Sequence, residues 1–183
     1  MEASLVSFVA VLFLFSYHPV SVSADIAKVD EVCNNVGGWY ITPQVCHSVL
    51  GTDPQSSTAD LNGVGVIAAN IVAKNATLTL GSIKKILDAS SDPNQKKGLE
   101  TCVLVYTNII PKLNGAVASI KSKKYSEALE VMSEALAVPA KCDAATMNDS
   151  NLKMVLDRDG IPFSTVASVG QAVAGYLSSN YSA

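Results

Sequence analysis

Residues 99–142 read LETCVLVYTNIIPKLNGAVASIKSKKYSEALEVMSEALAVPAKC. The first half sets Leu99, Cys102, Val103, Tyr106, Ile110, Leu113, Val117 and Ile120 at helical spacings. At about 100° per residue these side chains share an arc of roughly 120°, the buried stripe of one long helix. Pro111 falls on the opposite face, where it bends the helix outward without entering the core. After Lys121-Ser122-Lys123-Lys124, a second stripe of Tyr125, Ala128, Leu129, Met132 and Leu136 predicts another helix, ended by Pro139. Its back carries Glu127, Glu130 and Glu134, the pattern of a solvated face. Cys102 and Cys142 are equidistant from Ser122, so two antiparallel helices folded there bring them level.

The same periodicity extends outward. Leu61, Val64, Ala68, Ile71, Val72, Leu78, Ile83 and Ile86 follow Asp60, an acid suited to a helix N-terminus. Ser90-Ser91-Asp92-Pro93 supplies a stop, an N-cap and a first-turn proline. Val166, Val169, Val173, Tyr176 and Leu177 mark a last helix after a polar loop running from Asp143 to Pro162. Gly63, Gly65, Gly115, Gly170 and Gly175 lie within these segments and let backbones approach closely. No strand-like alternation competes over a comparable length. The chain is expected to be all-α, an antiparallel up-down four-helix bundle.

Composition fits one domain with a leader: 183 residues, 49% hydrophobic and 16% charged. With 13 basic against 16 acidic residues, the chain has no general attraction for phosphate backbones, and no nucleic-acid partner is expected. Leu5 to Phe15 is apolar except for Ser7, too short for a bilayer needing about 20 residues. Val22-Ser23-Ala24 follows, with small residues where a signal peptidase reads. Residues 1–24 are therefore expected to be a signal peptide, and the mature chain a secreted protein with no membrane span. An oxidising compartment favours pairing of all four cysteines. Cys33 and Cys46 straddle Trp39-Tyr40 beside Gly37-Gly38, so the short-range pairing is Cys33–Cys46 with Cys102–Cys142.

Catalytic chemistry is sparse. His47 is the one histidine beyond the leader, with no nucleophile-elbow pattern to accompany it. No His, Cys and acid cluster has metal-ligand spacing, and Asp157-Arg158-Asp159 reads as turn chemistry. Neither a metal nor a cofactor is expected, and the chain does not read as an enzyme. Three sequons begin at Asn75, Asn148 and Asn180; Asn148 is the favoured glycan acceptor, and Asn75 lies near an apolar stripe.

These residues carry a resemblance. Thr58-Ala59-Asp60-Leu61 with Gly65-Val66-Ile67 and Ala69-Asn70 is similar to the plant invertase and pectin methylesterase inhibitor family, particularly its pollen-type branch. So are Cys102-x-x-x-Tyr106 with Leu113 and Ala116, Tyr125-x-x-Ala128, Met132-Ser133-Glu134-Ala135-Leu136 with Cys142, and Pro162-Phe163-Ser164. The resemblance implies a helical hairpin over 25–54 ahead of a bundle over 55–183, and the same disulfide pairing. It also implies a non-catalytic inhibitor of acid invertase, in the cell wall or apoplast or alternatively the vacuole, as a monomer or weak dimer. Pectin methylesterase is the alternative target, and a non-inhibitory bundle or ligand carrier the other alternative.

In the invertase branch a Pro-Lys-Phe tip between two bundle helices enters the target's active site. Lys123-Lys124-Tyr125 occupies that place here, with lysine and ring retained and Lys123 standing for proline. Glycosidase pockets hold paired carboxylates, which an ammonium on a long stem can reach. Lys123→Pro is expected to restore the family's tip, provided the turn has compatible dihedrals.

Overall fold

The computed structural model describes residues 28–37, 41–147, 149, 152 and 160–181. The expected leader, Trp39-Tyr40, Asn148 and Asp157-Arg158-Asp159 lie outside the described residues. Regular structure among the described residues is helical throughout.

Two short helices, α1 (Lys28–Asn35) and α2 (Pro43–Leu50), come first. Thr42 starts α2 by accepting the Val45 N–H at its hydroxyl, with Pro43 in the first turn where no amide is missed. A single 3₁₀ turn over Pro54–Ser57 leads to α3 (Leu61–Ala89). Asp60 caps α3, its Oδ1 accepting the Gly63 N–H at 2.7 Å. Asp92 caps α4 (Pro93–Lys121) in the same way through the Asn94 N–H. The next helices are α5 (Tyr125–Leu136), α6 (Val138–Ala145) and α7 (Phe163–Tyr181).

Four of these close a ring. α3 packs on α4 and α7, and α5 packs on the same two, so each helix has two bundle neighbours. Ile83, Leu99, Ile109, Leu113, Ile120, Met132 and Leu177 are fully buried between them. By length and composition α3 and α4 would each suit a membrane, but their apolar stripes are turned into this core. Every deeply buried side-chain polar atom among the described residues has a hydrogen-bond partner.

Four expectations need correction. Leu78 is 62% exposed and not part of the α3 stripe, because it projects from the far side of the helix from Ala76, which is fully buried. On α4, Ile109 enters the core and Ile110 is only half-buried, a displacement of one position in the stripe. Pro139 does not end the third helical stretch. It sits in the first turn of α6, where its missing N–H costs nothing, so the chain breaks at Ala137 and resumes. The helix then runs to Ala145, past Asp143 where the loop was expected to begin. Lastly, Gly115 faces open space, so it brings no backbones together. Gly170 instead makes room for side chains of neighbouring helices: a Cβ there would meet Val72 Cγ2 at 2.5 Å.

Two covalent links fasten the arrangement. Cys33 on α1 is bonded to Cys46 on α2, with Cα atoms 5.5 Å apart. Cys102 on α4 is bonded to Cys142 on α6, with Cα atoms 4.6 Å apart. The α1–α2 hairpin leans on α3 and α7. Glu31 ties it there: its Oε1 accepts from the Tyr176 hydroxyl at 3.1 Å and the Tyr181 hydroxyl at 3.4 Å, while Lys28 pairs with Oε2. Tyr176 and Tyr181 meet edge to face.

Candidate functional site at the α4–α5 turn

α4 is capped by Ser122, and the chain reverses over the next two residues. The Lys123 N–H donates to the Ile120 carbonyl at 2.9 Å and the Lys124 N–H to the Ser119 carbonyl at 2.8 Å. Lys123 between them has φ +60°, the left-handed conformation that closes a Schellman turn. Glycine is the usual residue there; a Cβ makes the conformation costlier. Proline cannot adopt it, since its ring fixes φ near −65° and it lacks the N–H that Ile120 receives. The expectation that Lys123→Pro would rebuild the tip is therefore withdrawn. This turn already has a different backbone.

Residues 121–124 are all exposed, so three ammonium groups project at one end of the bundle. Lys124 is also the N-cap of α5, with no side-chain cap of its own. Its Nζ lies 3.1 Å from Glu127 Oε1, and Ser119 Oγ donates to Glu127 Oε2 at 3.0 Å. Lys124 foremost, then Ser119, holds the Glu127 carboxyl below its ordinary value.

Tyr125 behaves differently from the lysines beside it. Its ring is buried, 4% exposed, and its hydroxyl donates to Asn62 Oδ1 on α3 at 3.3 Å. Burial, then the charge of Asp60, pushes its phenol above the usual value. The ring pins the start of α5 onto the start of α3, and the lysines ride on that support. Nearby, Ser126 and Ser178 join α5 to α7 through their hydroxyls at 3.0 Å.

Sequence reading missed Glu127 and Ser119, placing the acid on a solvated back. The i,i+3 spacing of Lys124 and Glu127 was the available signal. The other candidates are dispersed. His47 Nε2 lies 3.6 Å from Asp30 Oδ1, linking α2 to α1, and no group of three or more His, Cys, Asp or Glu side chains that could hold a metal occurs among the described residues. Asn75 is half-buried, its amide donating to the Ile161 carbonyl, whereas Asn180 is exposed on the last turn of α7 and donates to the Tyr176 carbonyl.

The fold and this end of the molecule define a class: a disulfide-pinned four-helix bundle with an N-terminal helical hairpin and a cationic inter-helix turn. Residues 27–173 match the family model described as plant invertase/pectin methylesterase inhibitor. The chain belongs to that family. A Platanus acerifolia protein named "Putative invertase inhibitor" is 30% identical over 158 residues, covering 85% of this chain and 87% of that one. A pectinesterase inhibitor from Actinidia deliciosa is 24% identical over 157 residues, covering 86% and 83%. A solved structure of a mutant pectin methylesterase inhibitor from Arabidopsis superposes with a TM-score of 0.64 at 19% identity, covering 81% of this chain and 96% of that one. That likeness concerns the fold alone.

Proposed function

We propose that this chain is a secreted, non-catalytic inhibitor of plant acid invertase, acting in the cell wall or vacuole by blocking the glycosidase active site. The observation that carries the reading is the α4–α5 turn. Lys123 and Lys124 are exposed on a support made by the Schellman closure and the buried Tyr125, with Lys124 paired to Glu127. A preformed tip loses little conformational freedom on binding. Its positive charge is complementary to a pocket built from paired carboxylates. The 30%-identical Platanus protein, named for invertase, supports the same choice of target.

On this reading Tyr125 serves the tip from within, and the target meets the two lysines. The side-by-side test is inhibition of an acid invertase and a pectin methylesterase by the purified chain from Asp25 to Ala183. Loss of sucrose hydrolysis with no effect on pectin de-esterification supports the proposal. The reverse result transfers the function to the pectin enzyme. No effect on either leaves a non-inhibitory member of the family.

A further inference from the structure

We propose that Glu127 is a specificity-determining residue of the tip: it masks Lys124 in the free protein, and a target must displace it to engage the lysine. This rests on the invertase reading above and deepens it. Glu127 is the first acid after the turn and holds Lys124 Nζ at 3.1 Å. The carboxylate is held on its other side as well, its second oxygen accepting from Ser119 Oγ on the last turns of α4 at 3.0 Å. Lys124 is thus tethered to α5 and, through Glu127, back to α4.

The consequence is electrostatic. Lys124 entering an acidic pocket must either bring Glu127 with it, setting like charges against each other, or leave Glu127 behind. In both cases a single exposed carboxylate in a target offers Lys124 nothing that Glu127 does not already give. A pocket with two carboxylates offers more, and only such a site draws the lysine out. Losing the Glu127 pair subtracts a similar amount from the affinity for every anionic site, so only a site that offers more than one carboxylate still holds Lys124. Tip selectivity is the result. Lys121 and Lys123 make no ion pair among the described residues and remain the steering charges.

The experiment compares the wild-type chain, Glu127→Gln, Lys124→Met and the double variant against acid invertase. Both substituted positions are exposed, so folding is checked by circular dichroism and is expected to hold. Glu127→Gln should tighten inhibition by about two- to fivefold, the scale of losing an exposed ion pair that competes for Lys124. The double variant should match Lys124→Met, since the effect of Glu127 runs through Lys124. If Glu127→Gln inhibits no better than wild type while Lys124→Met is weakened, the masking is wrong although the invertase reading stands. If no variant inhibits invertase, that reading fails, and NMR titration of the Glu127 carboxyl still decides the masking. A carboxyl whose midpoint rises in Lys124→Met supports it; one that titrates identically in both proteins overturns it.

Discussion

The backbone N–H of Lys124 donates to the carbonyl oxygen of Ser119 at 2.8 Å, closing α4 while the intervening Lys123 sits at φ +60°. That one bond determines what the tip can tolerate. The left-handed residue is obligatory for it, and any side chain at position 123 is held in a conformation that glycine alone adopts freely.

Lys123→Gly should therefore stabilise the protein by about 0.5–1 kcal/mol, the left-handed cost less the extra freedom of glycine when unfolded. Lys123→Pro should destabilise it by about 2 kcal/mol or more, through the excluded φ and the lost bond to Ile120. Urea denaturation of the two variants gives both signs. A proline variant as stable as wild type would show that the turn is not of this kind.

Tyr125 should behave as a core residue. Tyr125→Phe should cost about 1 kcal/mol by leaving Asn62 without its hydroxyl partner. Tyr125→Ala should cost about 3–5 kcal/mol by emptying the space between α5 and α3. Differential scanning calorimetry on the two variants separates the ring from the hydroxyl, and near-equal losses would mean that the hydroxyl dominates.

The two disulfides should differ in worth. Cys102–Cys142 closes a separation of 40 residues and Cys33–Cys46 one of 13. Loop-closure entropy assigns about 4 and about 3 kcal/mol to them. Paired serine substitutions at 102 and 142 should therefore lower the melting temperature more than those at 33 and 46. Mass mapping without reduction should recover these two links; a peptide joining Cys46 to Cys102 contradicts the fold.

Hairpin docking should be pH-dependent at both ends of the scale. Lys28, then Tyr176, lowers the Glu31 carboxyl below its ordinary 4.5, so its contribution is present above that value and disappears as pH falls through the depressed folded value. Burial, then Glu31, raises the Tyr176 phenol to about 12, so its contribution is present below pH 10 and disappears as pH rises toward 12. Melting temperatures across pH for wild type, Glu31→Gln and Tyr176→Phe test this. The acid slope should flatten in the first variant and the alkaline slope in the second.

Local pattern made much of this architecture legible. Asp60 and Asp92 mark the helix starts because capping is written in two or three neighbouring residues. The stripe from Leu99 to Ile120 marks α4 because long periodicity averages out single errors. What it could not resolve was phase and backbone sign. Ile109 and Ile110 differ by a single step of about 100°, and neighbouring helices choose which one is buried. Leu78 satisfied an apolar count and failed the geometry. The break at Ala137 is hidden because proline suits both the end of one helix and the first turn of the next. At the tip, the lysines were visible as a charge run, but a left-handed lysine carries no compositional mark. The partnership of Glu127 with both Lys124 and Ser119 needs the turn closed before it exists.

The most direct measurement is the inhibition constant of Lys124→Glu against acid invertase beside that of wild type. Reversing this charge places a carboxylate against carboxylates, which costs several kcal/mol across an interface. The account predicts inhibition weakened by about 30-fold or more, with the helical signal and thermal midpoint near wild type because the residue is exposed. Equal inhibition by the two proteins would contradict it.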